Sequence, residues 1–184
     1  MKRALLVIDV QNEYFTGKLP VTYPEGSFDK ILQAVDAANQ QKIPVILIQH
    51  GAPQKDAAAF AKGSKGWEIH EELLKKKYNC IIDKQLPGSF TGTGLEETLR
   101  KMGVSTVVIC GYMTQMCCDT TARQALHLGF SVEFLSDATG TLDIENYAGK
   151  ITAADLHRAI LITQAMRFSK VMATDEWIRE IKPG

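Results

Sequence analysis

Residues 105–137 read, in succession, STVVICG (105–111), YMTQM (112–116), CCDTTARQALHLG (117–129) and FSVEFLSD (130–137). The first and last blocks are short, rich in Val, Ile and Phe, and apolar at consecutive positions, the pattern of a strand covered on both faces. Between them, residues of the third block follow helical spacing, and Gly129 stands where a helix C-cap belongs. A strand, a helix and a second strand in line make a parallel unit, because parallel neighbours need a crossover of a dozen or more residues. The same alternation extends in both directions. ALLVIDV (4–10), IPVILIQH (43–50) and NCIIDK (79–84) are further strands, and FDKILQAVDAANQQ (28–41) and TGLEETLRKMG (93–103) are helices. Thr93 and Glu96 have capping-box spacing, with Gly103 as the C-cap. ITAADLHRAILITQAMRF (151–168) adds a long helix and KVMAT (170–174) a last short strand. The pattern predicts an α/β fold, a three-layer α/β/α sandwich around a mostly parallel central sheet. No repeat or linker divides the chain, so residues 1–184 are read as a single domain.

Composition narrows the possible roles. Hydrophobic residues at 45% and charged residues at 23% exclude a disordered or fibrous protein. Lys plus Arg (21) balances Asp plus Glu (21), which argues against a nucleic-acid partner. No apolar stretch approaches the ~20 residues of a membrane span, so no membrane partner is expected. The opening MKRALLVIDV meets Asp9 after a short run and lacks a small-residue cleavage site. It therefore reads as a buried strand rather than a signal peptide, and a cytoplasmic location is expected. Of the four cysteines, Cys80 and Cys110 lie in apolar runs, Cys117 and Cys118 are adjacent, and no CxxC pair exists. That set is a poor disulfide framework and suits a reducing compartment.

In open parallel sheets, ligands bind beyond the carboxyl ends of the strands. The residues at those ends are Asp9 with Gln11, Gln49 with His50, Asp83 with Lys84, Gly111 to Cys118, and Asp137. A carboxylate, an ammonium group and a thiol thus emerge on one rim. If the helix begins near Met116, Cys117 lies in its first turn, where free N–H groups and the helix dipole favour thiolate. Lys84 would add a cation, and such surroundings bring a cysteine pKa down to ~3.5–7.5. This matters because ordinary Cys and Asp differ by ~4.6 pKa units, about 6 kcal/mol for a proton transfer to Asp9. A lysine beside Asp9 also makes the carboxylate a weaker base. N–H groups of the same turn would suit an oxyanion. Taken singly, each residue has an ordinary reading: Asp9 as a loop stabiliser, Lys84 as a solvated lysine, Cys117 and Cys118 as packed helix residues. Phe15 and Trp67 read equally as core, interface or substrate wall. His50, His70, His127 and His157 show no ligand spacing, so neither a metal centre nor another cofactor is expected.

Together these segments resemble the isochorismatase-like cysteine hydrolases, the superfamily of nicotinamidases, N-carbamoylsarcosine amidases, streptothricin hydrolases and isochorismatase itself. LLVIDVQNEYF (5–15) is similar to the family's first strand with its D-x-Q-N-D-F signature, Glu13 replacing the second acid. DKQLPGSFTGTGLEETLRKMGV (83–104) resembles the lysine segment, and CGYMTQMCCDTTARQALHLGFSVEFLSDAT (110–139) the nucleophile segment G-x-x-T-x-x-C-V…T-A-R-x-A. The resemblance implies Asp9 as general base and acid, Lys84 as its charged partner and Cys117 as nucleophile. The family nucleophile sits three after the loop threonine, here Thr114, so Cys117 is preferred to Cys118, which stands where valine is usual. The resemblance also implies a cis peptide between Tyr112 and Met113 that turns the Met113 N–H toward that of Cys117 as an oxyanion hole, with Gln11 a supporting contact.

Departures from the family pattern narrow the reaction. Nicotinamidases carry Asp-x-His and a further His after strand two, whereas this chain has Gln49-His50-Gly51-Ala52-Pro53. Nicotinamide and a bound metal are therefore not expected. Because Cys117 is present, the amide or carbamoyl C–N bond of a small molecule is favoured. The alternatives are an Asp9-led hydrolysis of a vinyl ether or ester, as in isochorismatase, and a thiol redox sensor or binding subunit. Gln11, Phe15, Trp67, Phe90 and Tyr112 are candidate substrate-lining residues, and GAPQKDAAAFAKGSKGW (51–67) reads as a lid or interface. The family implies a homo-oligomer, a dimer or tetramer.

Overall fold

The computed structural model describes residues 2–54 and 56–182. In chain order the elements are β1 (Arg3–Ile8), α1 (Ser27–Gln40), β2 (Val45–His50), α2 (Glu71–Leu74), β3 (Cys80–Lys84), α3 (Leu95–Lys101) and β4 (Thr106–Tyr112), followed by α4 (Asp119–His127) and β5 (Ser131–Gly140). A hairpin of β6 (Ile144–Asn146) and β7 (Gly149–Ile151) then precedes α5 (Ala153–Thr163), β8 (Lys170–Met172) and α6 (Thr174–Ile181). Six strands form one sheet in the order β3-β2-β1-β4-β5-β8, and every pairing in it is parallel.

The alternating pleat explains the layers. Leu5, Val7, Val45, Leu47, Val108 and Leu135 point to one face, where Ile31, Ala34 and Val35 of α1 and Trp177 of α6 cover them. The intervening Leu6, Ile8, Ile46, Ile48, Ile109 and Phe134 point to the other face, against Leu95 and Leu99 of α3 and Ala122 and Ala125 of α4. Strands with both faces covered are apolar at every position, which is why the runs were readable. At the strand edge farthest from the rim, the buried Glu133 carboxylate accepts a two-pronged bond from Arg3, at 2.8–3.0 Å, and another from Trp177 Nε1 at 2.9 Å.

Some local readings change. The expected capping box of α3 does not form: Thr93 Oγ1 donates to the Ser89 carbonyl at 2.6 Å and accepts from the Leu95 N–H at 3.3 Å. Glu96 instead faces Arg100 one turn on, at 3.3 Å. The helix after β4 is entered through a wide turn, Thr114–Cys118, with five-residue π geometry, so Cys117 lies before α4 rather than inside it. Likewise α5 ends in a second π turn at Gln164–Phe168. Among the described residues, no helix is long and apolar enough to cross a membrane.

The strand order places a switch point between β1 and β4. From β1 the chain winds outward to β2 and β3, then returns to β4 and winds the other way, and ligands of open α/β sheets bind outside such a point. At this place the two strand ends come unusually close. Gly111 has φ 113°, and a Cβ there would lie 2.0 Å from the Ile8 carbonyl oxygen. Only glycine lets β4 approach β1 so tightly.

Candidate active site

Asp9 leaves β1 in the left-handed region at φ 52°, where aspartate is tolerated better than most residues. Its N–H is held by the Ile48 carbonyl at 3.0 Å and its carbonyl accepts from the Gln11 N–H at 2.8 Å. The turn aims its carboxylate across the rim at Lys84, the last residue of β3, and Asp9 Oδ2 lies 2.7 Å from Lys84 Nζ with both side chains fully buried. The same nitrogen is 3.2 Å from Cys117 Sγ, and it donates to the Leu86 carbonyl at 3.2 Å. The three residues expected at the rim thus form one contiguous buried cluster, in which Cys117 is 7% exposed. Among the described residues, neither Asp9 oxygen accepts a well-aligned hydrogen bond beyond this ion pair; the Cys117 thiol lies against the carboxylate.

Burial governs the charges. It pushes the Cys117 thiol well up, the Asp9 carboxylate adds to that push, and Lys84 only partly opposes it. Burial thus opposes the thiolate that a helix start and Lys84 favour. Burial works against charge on Lys84 as well, but Asp9 and then Cys117 outweigh it and hold the ammonium group above its ordinary range. Cys118 is fully buried among apolar side chains of the α3–α4 face, as a packing residue.

The turn bearing Cys117 begins with a cis peptide bond between Tyr112 and Met113. The Met113 carbonyl accepts from the N–H groups of Met116, at 3.1 Å, and Cys118, at 3.2 Å, and passes over that of Cys117. Among the described residues, the Met113 N–H meets no backbone acceptor. Thr114, fully buried, shares a 2.8 Å hydrogen bond with His157 Nδ1, whose other ring nitrogen lies 2.9 Å from the Ser136 carbonyl. A neutral His157 that donates to Ser136 and accepts from Thr114 satisfies both contacts. The loop after Lys84 is pinned to α4 by Ser89, whose N–H and hydroxyl meet Thr121 Oγ1 at 3.1 and 2.8 Å.

The candidate walls divide. Gln11 is fully buried and its amide is spent on backbone: it donates to the carbonyls of His50, at 2.9 Å, and Trp67, at 2.6 Å, and accepts from the His50 N–H at 2.9 Å. It therefore latches the end of β2 to the 51–67 loop. Trp67 has its indole nitrogen beside Gly51. Phe15 packs on Phe28, His70 and Tyr112, and Tyr112 reaches Ser27 Oγ at 3.1 Å on α1. Phe90 is turned to the α4 side and stacks on Phe130, with ring centroids 6.0 Å apart. Three other residues crowd the cluster. The ring of Tyr14 lies 5.2 Å from that of Phe60, and the ring of Phe60, held at φ 56°, lies 5.2 Å from that of His50. His50 Nδ1 is in turn 3.5 Å from Lys84 Nζ. Phe60 sits in an alanine-rich stretch that gives no periodic signal, whereas Tyr14 stands at the aromatic position of the D-x-Q-N-D-F signature. The sequence places His50 on the rim without ligand spacing, but its register with Lys84 across β2 and β3 emerges only from the strand pairing.

A parallel α/β sheet whose switch point carries a buried carboxylate, ammonium and thiol is the arrangement that the resemblance to cysteine hydrolases implies. The chain belongs to the isochorismatase family: the pattern of the isochorismatase domain matches residues 3–166. It is similar to a structure from Burkholderia xenovorans LB400 solved as a candidate isochorismatase, with 42% identity, TM-score 0.94, and 97% of this chain and 86% of that one covered. It is also similar to a cysteine hydrolase from Pseudomonas syringae pv. phaseolicola, with 30% identity, TM-score 0.91 and coverage of 98% and 92%. Nicotinamidase 3 of Arabidopsis thaliana is 29% identical over 97% of this chain and 88% of its own length.

Proposed function

We propose that this isochorismatase-family hydrolase cleaves the C–N bond of a small amide, carbamoyl compound or lactam through a thioester on Cys117. The observation that carries the reading is the position of Lys84 Nζ, 2.7 Å from Asp9 Oδ2 and 3.2 Å from Cys117 Sγ. In this reading Asp9 takes the thiol proton as the sulfur attacks the carbonyl carbon, so no free thiolate has to accumulate beforehand. The buried ammonium group then faces two negative charges in turn, the carboxylate before attack and the sulfur during it. Such charge stabilisation is strongest where water is excluded. The N–H groups of Met113 and Cys117 would hold the oxyanion. Asp9 returns its proton to the departing amine, then activates a water that hydrolyses the thioester and regenerates the thiol.

Relatives that include a nicotinamidase support an amide substrate. Against nicotinamide itself stands the sequence at the end of β2, Gln49-His50-Gly51-Ala52-Pro53, which lacks the Asp-x-His pair. The test is a panel of small amides, ureas and lactams assayed for released ammonia or amine. With the active compound, Cys117→Ala is expected to abolish turnover and the thioester mass adduct. Turnover that survives in Cys117→Ala overturns the reading in favour of an Asp9-led ester or vinyl-ether hydrolysis.

A further inference from the structure

The ammonium group of Lys84 has three N–H bonds. Four acceptors surround it: Asp9 Oδ2 at 2.7 Å, the Leu86 carbonyl at 3.2 Å, Cys117 Sγ at 3.2 Å and His50 Nδ1 at 3.5 Å. Asp9 carries a full charge and Leu86 is fixed backbone, so two N–H bonds are committed. The third must choose between an imidazole nitrogen and a sulfur. A protonated thiol is a weak acceptor and an imidazole nitrogen a good one; a thiolate reverses that order.

We propose that His50 is a positioning residue of this site, holding the third N–H of Lys84 while Cys117 is a thiol and yielding it to the sulfur as the thiol proton moves to Asp9. No covalent bond to Lys84 changes: one proton passes from Sγ to the Asp9 carboxylate, and one hydrogen bond is handed from Nδ1 to Sγ. The role rests on the catalytic reading above.

His50 is built for it. Gln11 clamps both its N–H and its carbonyl, so the backbone cannot drift. Its register partner across the sheet is Lys84 itself, and the Phe60 ring packs at its edge. The charged groups facing it are Asp9 from β1 and Lys84 from β3. From the covering loop, the stem of Lys62 lies over Gly51 while its ammonium group is turned to Asp83 at 4.0 Å. Burial first, and Lys84 second, lower the imidazole pKa, so the ring keeps the free lone pair the role requires.

The test reads the sulfur directly and needs no substrate. Full-length protein, with Cys80→Ala to remove the most exposed other thiol, is alkylated with iodoacetamide at one mildly alkaline pH, and modification of Cys117 is followed by peptide mass. Loss of the His50 acceptor destabilises the thiol state and increases the thiolate fraction, so His50→Phe and His50→Leu are both expected to speed alkylation roughly tenfold, the scale of one hydrogen bond from a charged donor. His50→Gln, which keeps an acceptor oxygen, is expected to stay within about twofold of the parent. A series ordered by side-chain size, with Leu fast and Phe slow, overturns the proposal in favour of simple access, and so does an unchanged rate in both acceptor-free variants. If one of these variants does not fold, the other still decides against His50→Gln. These outcomes are separate from loss of turnover in Cys117→Ala, which tests the hydrolase reading alone.

Discussion

Replacing Lys84 with Met keeps most of the side-chain volume and removes the charge, stranding the Asp9 carboxylate in a site with no exposed surface on either partner. At 2.7 Å and an effective dielectric of ~20, the attraction lost is about 6 kcal/mol, offset by the desolvation that Lys84 no longer pays. Removing one member of a buried pair typically costs ~3–5 kcal/mol. For a protein of this size that corresponds to a melting temperature lower by roughly 6–20 °C. Asp9→Asn strands the ammonium group instead and is expected to fall in the same range. The double variant, with neither charge, is expected to lose less than the sum of the two, by about 2 kcal/mol or more, because no unpaired charge remains. Urea unfolding of all four proteins closes the cycle. If the two effects add within ~0.5 kcal/mol, the pair is not an energetic unit and the account of the site's charges is wrong.

Gly111→Ala, whose Cβ would sit 2.0 Å from the Ile8 carbonyl oxygen, is expected to destabilise the fold by about 3 kcal/mol or more, measured by the same unfolding; a near-neutral variant would show that β1 and β4 can separate freely. Gln11→Ala removes two bonds to His50 at the end of β2 and one to Trp67 of the 51–67 loop, with an expected loss of about 1–3 kcal/mol. Hydrogen exchange should then accelerate in residues 51–67 ahead of the rest of the chain, and uniform protection would refute the latch. Burial lowers both His50 and His157 from an ordinary value of 6.5. As pH falls through that value, the unfolded chain therefore binds protons that the folded chain does not, and stability drops. His157→Gln should make that acid-side slope shallower in urea titrations at several pH values; an unchanged slope would exclude His157 as a contributor.

The central strands were legible because each had to satisfy two apolar layers at once, leaving runs such as ALLVIDV with no polar face to obscure them. The β6–β7 hairpin escaped notice for the opposite reason: its residues are largely exposed, so nothing constrains their pattern. Asp9, Lys84 and Cys117 could be found from the strand ends together with the family resemblance, since a parallel sheet delivers all its carboxyl ends to one rim and the resemblance separates these three from neighbours such as Asp83 and Cys118. Their charge states could not, because helix position is visible in a sequence and depth of burial is not. Thr93 and Glu96 had capping-box spacing, but tertiary contacts claimed Thr93 for Ser89. The wall residues were judged by chemistry without direction, and so Phe90 was included although it faces Phe130, while Phe60 and Tyr14 were passed over.

The sulfur's concealment has a consequence for its survival. Oxidants attack the deprotonated, accessible form of a cysteine and leave shielded, protonated ones largely alone. On the function proposed above, a Cys117 thiol that is only 7% exposed and whose ionisation burial opposes is sheltered from peroxide between turnovers, the reverse of what a peroxide-sensing cysteine requires.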